Sequence, residues 1–181
     1  DFWDLLPAVA KAVDDPTTDY AVLPTYKLAK AARDAGLKVL LSGEGGDEMF
    51  AGYGRYRRAA RPRWLGGRSI RVTGKLEGLG VLRRLDRCWR QGIEALEAEL
   101  PDDLSALQKA QAIDCTHWLP NDLLTKLDRC LMAHGVEGRV PFVDPVLAAF
   151  AFRLPDALKV KKRLGKRLLR SWLAETLPAS K

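Results

Sequence analysis

The segment from Thr25 to Tyr53 constrains the fold of this chain more than any other, because it places a helix, a strand and a glycine-rich turn in succession. The helical run "TYKLAKAARDAG" ends at Gly36, a residue type on which helices commonly end. "LKVLL" follows, and its β-forming residues predict a short buried strand. "GEGGDE" then packs three glycines and three acids into six residues, ahead of a helix-like segment. This order predicts an α/β sheet, in which ligands bind at the carboxyl ends of the strands.

The composition of this turn indicates a site for polyphosphate and a metal ion. Glycines let a ligand approach the backbone, and free N–H groups at the start of a helix attract anions. Carboxylates at such a place repel phosphate unless a hard cation such as Mg²⁺ lies between them. A further carboxylate beside the metal can act as a general base. The alternative is a solvated acidic turn, which accounts for Glu48 but less well for Glu44 and Asp47, close behind a buried strand.

Common nucleotide-binding motifs do not fit the sequence. The turn is not G-x-G-x-x-G, because Glu48 stands where the third glycine belongs, and the chain contains no G-x-x-x-x-G-K-[ST]. The formal net charge of +7 suits anionic partners such as ATP, pyrophosphate or nucleic acid, with a solvated basic surface as the alternative. No apolar run approaches the roughly 20 residues of a membrane span, so we expect no membrane partner.

The rest of the chain is predicted to be mainly helical. "RYRRAARPRWLGGR" is broken by proline and glycine, so we expect a loop or short helices there. "NDLLTKLDRCLMAHG" predicts a helix capped by Asn121 and ended by Gly135. An apolar stripe with steps of three and four predicts an amphipathic helix from Val81 to Leu100. Its inward side chains would be Leu82, Leu85, Trp89, Ile93, Leu96 and Leu100.

Two further helices are predicted near the end of the sequence. Asp144 and Pro145 fit the cap and the first position of a helix over "DPVLAAFAFRLP". The last helix, "GKRLLRSWLAETLP", has an apolar face, and we expect that face to point inward. Its members are Leu168, Leu169, Trp172 and Leu173.

The cysteines favour a reducing compartment. Cys88, Cys115 and Cys130 form no C-x-x-C and leave one thiol unpaired, which is typical of reduced thiols in a cytoplasmic protein. Cys115 and Cys130 can be aligned with His117 and His134 as a zinc quartet. That spacing matches no common zinc finger, so ordinary packing is the favoured interpretation.

Three blocks of sequence resemble the glutamine-dependent asparagine synthetases. "LLSGEGGDEMFAGY" resembles that family's S-G-E-G-[SG]-D-E-x-F-x-G-Y stretch. "LLTKLDRCLMAHGVEGRVPFVD" is similar to its K-x-D-R-x-x-M-A-x-x-x-E-x-R-x-P-F-x-D run, and "GKRLLRSWLAETLP" resembles its K-x-x-L-R segment ending in L-P. The blocks occur in the family's order and cover most of the chain.

The resemblance implies a fold and an activity. Members of this family join an N-terminal glutaminase domain, which frees ammonia, to a C-terminal synthetase domain that adenylates aspartate with ATP and Mg²⁺. Ammonia then attacks β-aspartyl-AMP to give asparagine, AMP and pyrophosphate. The implied fold class is α/β, a Rossmann-like adenine-nucleotide domain of the ATP pyrophosphatase type. We expect this part of it to be mostly α-helical with a short parallel strand.

The resemblance also implies that residues 1–181 are the later part of the synthetase domain. The family's S-G-G-x-D-S pyrophosphate loop and its glutaminase domain lie upstream of the matched region. An R-x-K-x-G-like stretch, which carries a lysine for the reacting phosphate, lies downstream. We therefore expect these residues alone to be inactive. The sequence leaves the oligomeric state open, a homodimer included.

Individual roles follow from matching the motifs. Ser42 and Gly43 resemble the positions that hold the adenylate, Glu44 the carboxylate that takes a proton from ammonia, and Asp47 a Mg²⁺ ligand. Lys166 matches the lysine of K-x-x-L-R, to which we assign no chemical role. The adjacent Lys161, Lys162, Arg163 and Arg167 suggest that Lys166 is a solvated member of a basic run.

Other features leave alternatives open. Asp128 and Arg129 fit either a pair near the site or a structural ion pair. Gly46 replaces a frequent serine, which we expect to be harmless, and Gly138 replaces a larger residue, which can alter packing near the substrate.

The sequence leaves two other functions open. Similar enzymes of the same fold form other amide bonds, including β-lactam synthetases and peptide cyclases, so the acceptor can be a sugar, a peptide or another carboxylate. A nucleic-acid-binding helical module would use "RYRRAARPR". Its arginines are accompanied only by Tyr53, Tyr56 and Trp64, which makes a base-stacking platform doubtful, and the acidic turn would be left unexplained.

Overall fold

The structure is a computed structural model, and it describes residues 2–15, 17–67, 69–70, 77–81, 83–84 and 88–177. The strands are β1 Val39–Leu41 and β2 Glu137–Arg139. The helices are α1 Phe2–Val13, α2 Val22–Asp34, α3 Gly46–Phe50, α4 Gly54–Ala59, α5 Gln91–Glu99, α6 Ala106–Ile113, α7 Thr125–Met132, α8 Pro145–Arg153, α9 Asp156–Lys159 and α10 Arg167–Thr176.

The chain divides into two compact units. The first contains residues Asp1–Gly46 and Cys115–Ala149, and the second contains Asp47–Asp114 and Phe150–Lys181. In the described residues, no helix is both long enough and apolar enough to cross a membrane.

The first unit is built around a short parallel sheet. β1 pairs with β2 in parallel, with Leu40 opposite Gly138. α2 and α7 cover one face of this pair, since Ala29 and Ala32 of α2 pack against Leu127 and Leu131 of α7, with Leu40 at the edge of the cluster. The prediction of a mostly helical α/β chain with a short parallel strand is thus confirmed, although β2 was not identified from the sequence.

α1 adds a second cluster to the first unit. Val9 and Val13 of α1 are buried against Cys130 of α7, and Leu23 of α2 packs at the edge. The Cys130 thiol also donates a weak hydrogen bond to the Val22 carbonyl at 3.6 Å. Burial therefore raises the pKa of Cys130 to about 11, against a small lowering by the charge of Lys126.

The prediction that β1 is buried is wrong. Val39 is 47% exposed and Leu41 is 73% exposed, and only Leu40 is half-buried. A parallel strand is buried on both faces only where helices cover both faces. In the described part of the chain, α2 and α7 cover the face toward which Leu40 points.

The helix around residues 121–135 begins differently from the prediction. Asn121 is not an N-cap, because it lies inside a π-helical segment, Asp114–Leu124, that leads into α7. Its amide instead donates a hydrogen bond to the His117 carbonyl at 2.9 Å. The predicted end at Gly135 is confirmed, since Gly135 has a φ of 64°.

Other local predictions are confirmed in the structure. α2 ends just before Gly36, whose φ is 77°, although the helix begins at Val22 rather than near Thr25. α8 begins at Pro145, and Asp144 Oδ1 accepts a hydrogen bond from the backbone N–H of Val146 at 3.0 Å. The basic stretch forms the short helix α4 and a 3-10 turn, as predicted.

The second unit has its own core. The buried side chains of Tyr56 from α4, Ile93 from α5 and Leu107 from α6 form one cluster, with Ala51 beneath them. Arg55 donates a hydrogen bond through Nε to the buried Asp114 carboxylate at 2.6 Å. This pair places an ionic contact beside an otherwise apolar core.

Two helical predictions fail in part within the second unit. The predicted helix from Val81 is confirmed only over α5, preceded by a 3-10 turn at Cys88–Arg90, and Leu82 and Leu85 lie outside the described residues. Trp89 is 44% exposed rather than inward. In α10, Trp172 is 62% exposed, because in the described residues this helix packs mainly against α9.

Candidate active site

The acidic turn begins where β1 ends. The Ser42 N–H donates to the Arg139 carbonyl at 2.8 Å, which continues the β1–β2 ladder by one residue. The Glu44 N–H donates to the Ser42 hydroxyl oxygen at 3.3 Å, so this side chain helps to close the turn. Gly45 has a φ of 87°, and a Cβ there would lie 2.6 Å from Val143 Cγ2. The turn therefore requires glycine at this position for both conformation and space.

The first unit holds Glu44 by an ion pair with a buried lysine. Lys126 Nζ lies 2.9 Å from Glu44 Oε1 and 2.6 Å from Asp19 Oδ2. The side chain of Lys126 is 2% exposed, that of Asp19 is 14% exposed and that of Glu44 is 22% exposed. A buried cation thus bridges two carboxylates from separate segments of the chain.

This geometry keeps Lys126 charged. Burial by itself would lower the pKa of Lys126, but the hydrogen bonds and charges of Asp19 and Glu44 outweigh it, so the pKa is raised above its ordinary value. Removing either carboxylate would leave a buried charge with less compensation, which is costly in a protein interior.

The segment that carries Asp19 is fastened to the same helical region. Asp122, about one turn before Lys126, accepts hydrogen bonds from the hydroxyls of Thr17 and Thr18. The Asp19 carboxylate also accepts a hydrogen bond from the Ala21 N–H at 2.9 Å. Asp19 is therefore fixed independently of its bond to Lys126.

Sequence analysis did not identify Lys126 or Asp19 as members of a site. For Lys126 a signal existed, because it lies four residues before Cys130 and four after Asp122, on the buried face of the helix. A lysine on an apolar face predicts a buried partner of opposite charge. No comparable signal marks Asp19, because its partner lies 107 residues away in the sequence.

In the second unit, Asp47 is paired with Lys166. Lys166 Nζ lies 2.9 Å from Asp47 Oδ1, and the two side chains are 32% and 33% exposed. The Lys166 N–H also donates to the Phe50 carbonyl at 3.1 Å. The prediction that Lys166 is a solvated lysine in a basic run is therefore wrong, because it binds the predicted metal ligand.

Gly52 lets the Asp47 carboxylate fold back over the end of α3. A Cβ at this position would lie 1.5 Å from Asp47 Oδ1 and 3.0 Å from the Lys166 side chain. Because no side chain can occupy that space, the pair between Asp47 and Lys166 depends on glycine at position 52. The spacing D-x-x-x-x-G from Asp47 to Gly52 thus has a steric reason.

Glu48 is buried, so the interpretation of the turn as a solvated acidic segment is wrong for this residue. Its side chain is 1% exposed, and neither carboxyl oxygen has a hydrogen bond of ordinary geometry. Burial is the main cause that raises the pKa of Glu48. Glu48 is thus a buried carboxyl whose pKa lies above its ordinary value.

The backbone at the end of α3 is held by buried polar side chains of the second unit. The Gln111 amide donates to the carbonyls of Glu48 and Met49. Lys159, fully buried, donates to Gln111 Oε1 at 2.9 Å and to the Phe152 carbonyl at 3.1 Å. These bonds fix the backbone that follows Asp47.

Asp47 suits Mg²⁺ as one ligand among several. Magnesium is commonly bound through one or two carboxylates together with substrate phosphates and water. Asp47 Oδ1 lies 2.9 Å from Lys166 Nζ, so a cation at this carboxylate would share it with the lysine or displace the lysine. No group of three or more His, Cys, Asp or Glu side chains that could hold a metal occurs among the described residues.

The other candidate residues have ordinary surroundings. Asp128 and Arg129 are both exposed on α7. Cys130 is buried in the first unit, and the His134 ring packs edge-on against Tyr26 at 4.5 Å between centroids. None of the three cysteines forms a disulfide in the described residues.

The aromatic residues near the basic stretch do not form a base-stacking surface. Tyr56 is fully buried, and the Arg55 guanidinium covers the Tyr53 ring at 4.0 Å from its centroid. Of the three aromatics, Trp64 is the exposed one, at 82%. Binding of single-stranded nucleic acid by stacking therefore has little support in this unit.

Comparison with known proteins assigns the family. The family model for asparagine synthase matches residues 1–180. The chain belongs to the asparagine synthase family. A putative glutamine-hydrolysing asparagine synthetase of Mycobacterium tuberculosis (strain ATCC 25618 / H37Rv) is 33% identical to this member of the family, over 99% of the chain and 33% of the relative.

Further relatives carry similar names. The glutamine-hydrolysing asparagine synthetase 1 of Bacillus subtilis (strain 168) is 29% identical over 94% of the chain and 33% of its own length. Asparagine synthetase B of Escherichia coli (strain K12), also named as glutamine-hydrolysing, is 27% identical over 92% of the chain and 23% of its own length. This member of the asparagine synthase family thus spans a third or less of these relatives. No solved structure matches the chain.

Proposed function

We propose that this chain is part of an ATP-dependent amide ligase that adenylates aspartate and aminates the adenylate with ammonia, giving asparagine, AMP and pyrophosphate. The observation that carries the proposal is the fixed carboxylate of Glu44, held 2.9 Å from Lys126 in a turn that directly follows β1. The family assignment supports the same reaction, because the relatives are named as asparagine synthetases.

We assign the site residues as follows. Ser42 and Gly43 bind the adenylate near the end of β1, where α/β sheets bind their ligands. Glu44 accepts a proton from ammonia as the nitrogen attacks the acyl carbon and AMP leaves with the bonding electrons. Asp47 holds Mg²⁺, which when bound would neutralise phosphate charge. Gln111 and Lys159 hold the backbone that follows Asp47.

We further propose that residues 1–181 belong to the later part of a Rossmann-like synthetase domain of the ATP pyrophosphatase type. The parallel pairing of β1 and β2, with α2 and α7 on one face, is consistent with such a domain. In the complete enzyme, glutamine hydrolysis in a separate domain would supply the ammonia, and the relatives' names as glutamine-hydrolysing enzymes support this.

The test uses the full-length protein that contains this chain. Purified protein is incubated with ATP and Mg²⁺, and aspartate-dependent exchange of radiolabelled pyrophosphate into ATP is measured. Ammonium or glutamine is then added and asparagine is quantified. We expect exchange with aspartate alone and asparagine with either nitrogen source.

Other acids in the same assay separate the alternatives. Glutamate, an amino-sugar acid and a β-amino acid replace aspartate one at a time. Exchange with one of these acids and none with aspartate would assign the chain to a ligase for a different carboxylate. No exchange with any acid would contradict an adenylating function.

A further inference from the structure

We propose that Lys126 is a positioning residue for Glu44, and that Asp19 holds Lys126 in place for this task. Lys126 binds Glu44 Oε1 and thereby sets the plane of the carboxylate, so that Oε2 is the atom that accepts the proton of ammonia. This inference rests on the proposed function, because it deepens the role given there to Glu44.

The two oxygens of the Glu44 carboxylate differ in their hydrogen bonding. Oε1 is bound by Lys126 at 2.9 Å, and Oε2 has no hydrogen bond to a residue in the described ranges. The Glu44 side chain is 22% exposed, so it is neither fully solvated nor sealed. One oxygen is thus fixed and the other is open to a reactant, which is the arrangement a positioned base requires.

Lys126 is itself held rigidly. Its side chain is 2% exposed. Asp19, which belongs to a separate segment of the chain, places Oδ2 2.6 Å from Lys126 Nζ. That segment is fastened by the hydroxyls of Thr17 and Thr18 on Asp122. Asp19 is fixed by hydrogen bonds other than the one to Lys126. The Asp19 carboxylate therefore determines the position of the Lys126 ammonium group.

The atoms balance without a further reactant. The nitrogen of ammonia forms a bond to the acyl carbon of the adenylate, and the carbon–oxygen bond to AMP breaks with its electron pair on the phosphate oxygen. The proton released by nitrogen moves to Glu44 Oε2. Lys126 keeps its own protons, since its role is to hold Oε1 and to supply positive charge beside the base.

Lys126 is closed to solvent and is already bound by two carboxylates. Two of its three ammonium protons bind Asp19 and Glu44, and the side chain is closed to solvent. A lysine that bound the carboxylate of aspartate would instead be expected to be accessible before the substrate arrives. The geometry therefore favours a role through Glu44 over direct binding of the substrate.

The experiment compares Lys126→Met with Lys126→Arg in the full-length protein. Aspartate-dependent pyrophosphate–ATP exchange reports adenylation, and asparagine formed from ammonium reports amination. We expect Lys126→Met to lower amination at least about tenfold more than exchange, since a misplaced base loses part of its usual 10²–10⁴-fold effect. Lys126→Arg should recover most of that difference, because a guanidinium keeps the charge and the donors.

The matched control is Lys30→Met. Lys30 also binds a carboxylate at 2.6 Å, that of Asp34, but its side chain is 59% exposed. We expect Lys30→Met to change neither rate. If Lys126→Met does not fold, as judged by its thermal unfolding, Asp19→Asn replaces it, and we expect a smaller loss that is again confined to amination.

The results that would overturn the inference are distinct from failure of the proposed function. Equal losses of exchange and amination would make Lys126 structural, and a raised KM for aspartate with unchanged kcat would make it a substrate ligand. Absence of both reactions in the wild-type protein would contradict the proposed function, and the inference would fall with it.

Discussion

Glu44 is the residue whose substitution should separate the two chemical steps. In Glu44→Gln the amide keeps the shape of the side chain but cannot accept a proton. We expect amination to fall by about 10²–10⁴-fold, the usual value of a positioned base. Pyrophosphate–ATP exchange should largely survive, because the base acts after the adenylate has formed. Both rates are measured on the full-length protein.

A control for this change is Asp34→Asn, which alters an exposed carboxylate that also pairs with a lysine. Both rates should be unaffected in that variant. If Glu44→Gln abolished exchange as completely as amination, Glu44 would belong to nucleotide or metal binding instead.

The backbone at Lys166 carries a second prediction at the scale of one residue. Lys166 has a φ of 51° at the start of α10, in the left-handed region that costs side-chain-bearing residues about 1–2 kcal/mol. Lys166→Gly and Lys166→Ala both lose the pair with Asp47, but only glycine adopts this conformation without strain. We expect the glycine variant to be more stable by about 1 kcal/mol in thermal unfolding.

The opposite order is expected at Lys109, inside α6, where alanine should be more stable than glycine by about 1 kcal/mol. The same order at both positions would show that Lys166 is not held in the left-handed region.

At the scale of elements, Gly138 sets how closely β2 approaches α7. A Cβ at this position would lie 2.6 Å from Leu131 Cδ1, and Leu131 is fully buried. Gly138→Ala therefore forces Leu131 or the strand to move, and overpacking of this kind costs about 1–3 kcal/mol. We expect a lower melting temperature for Gly138→Ala.

Gly43 provides the matched control for that variant. A Cβ at Gly43 meets no atom within 4 Å, so Gly43→Ala should leave the melting temperature nearly unchanged. A Gly138→Ala protein as stable as the wild type would mean that Leu131 has room to turn aside.

At the scale of the whole molecule, what the sequence could predict was mostly local. Gly36, Gly135 and Asp144 end or cap helices through their own conformational preferences, and the motif placed Glu44 and Asp47 in the turn after β1. The structure differs from the sequence predictions where contacts between distant segments determine the local conformation or the burial. Asn121 has the chemistry of a cap, but the surrounding chain continues through it as a π-helix. The exposure of β1 depends on which of its faces helices cover.

The ion-pair partners of the site residues could not be predicted from local sequence, because distant segments supply them. The pair between Asp19 and Lys126 and the pair between Asp47 and Lys166 each join residues more than a hundred positions apart. Charge and spacing along the sequence do not encode such pairs, because they form only when the fold brings the segments together.

The pH dependence of global stability carries the last prediction. Burial raises the pKa of Tyr56 and of Tyr53 above its usual range, and raises that of Cys130 to about 11. These groups stay protonated in the folded state while the unfolded chain begins to ionise, so the folded state loses stability as pH rises through about 9–10. Lys126, with its raised pKa, acts in the same direction, because its ion pairs are lost when it deprotonates. We expect stability to fall steeply on the alkaline side.

Tyr56→Phe isolates one contribution to this fall. Near pH 7 both proteins bury a neutral ring, so their melting temperatures should be similar. Above pH 10 the Tyr56 hydroxyl ionises in the unfolded wild-type chain, which stabilises the unfolded state. Phenylalanine cannot ionise, so Tyr56→Phe should be the more stable protein there. Tyr20→Phe serves as the control, because Tyr20 is 92% exposed and its substitution should leave the alkaline limb unchanged. Parallel limbs for the wild type and Tyr56→Phe would show that the Tyr56 hydroxyl already ionises in the folded protein, contrary to its burial.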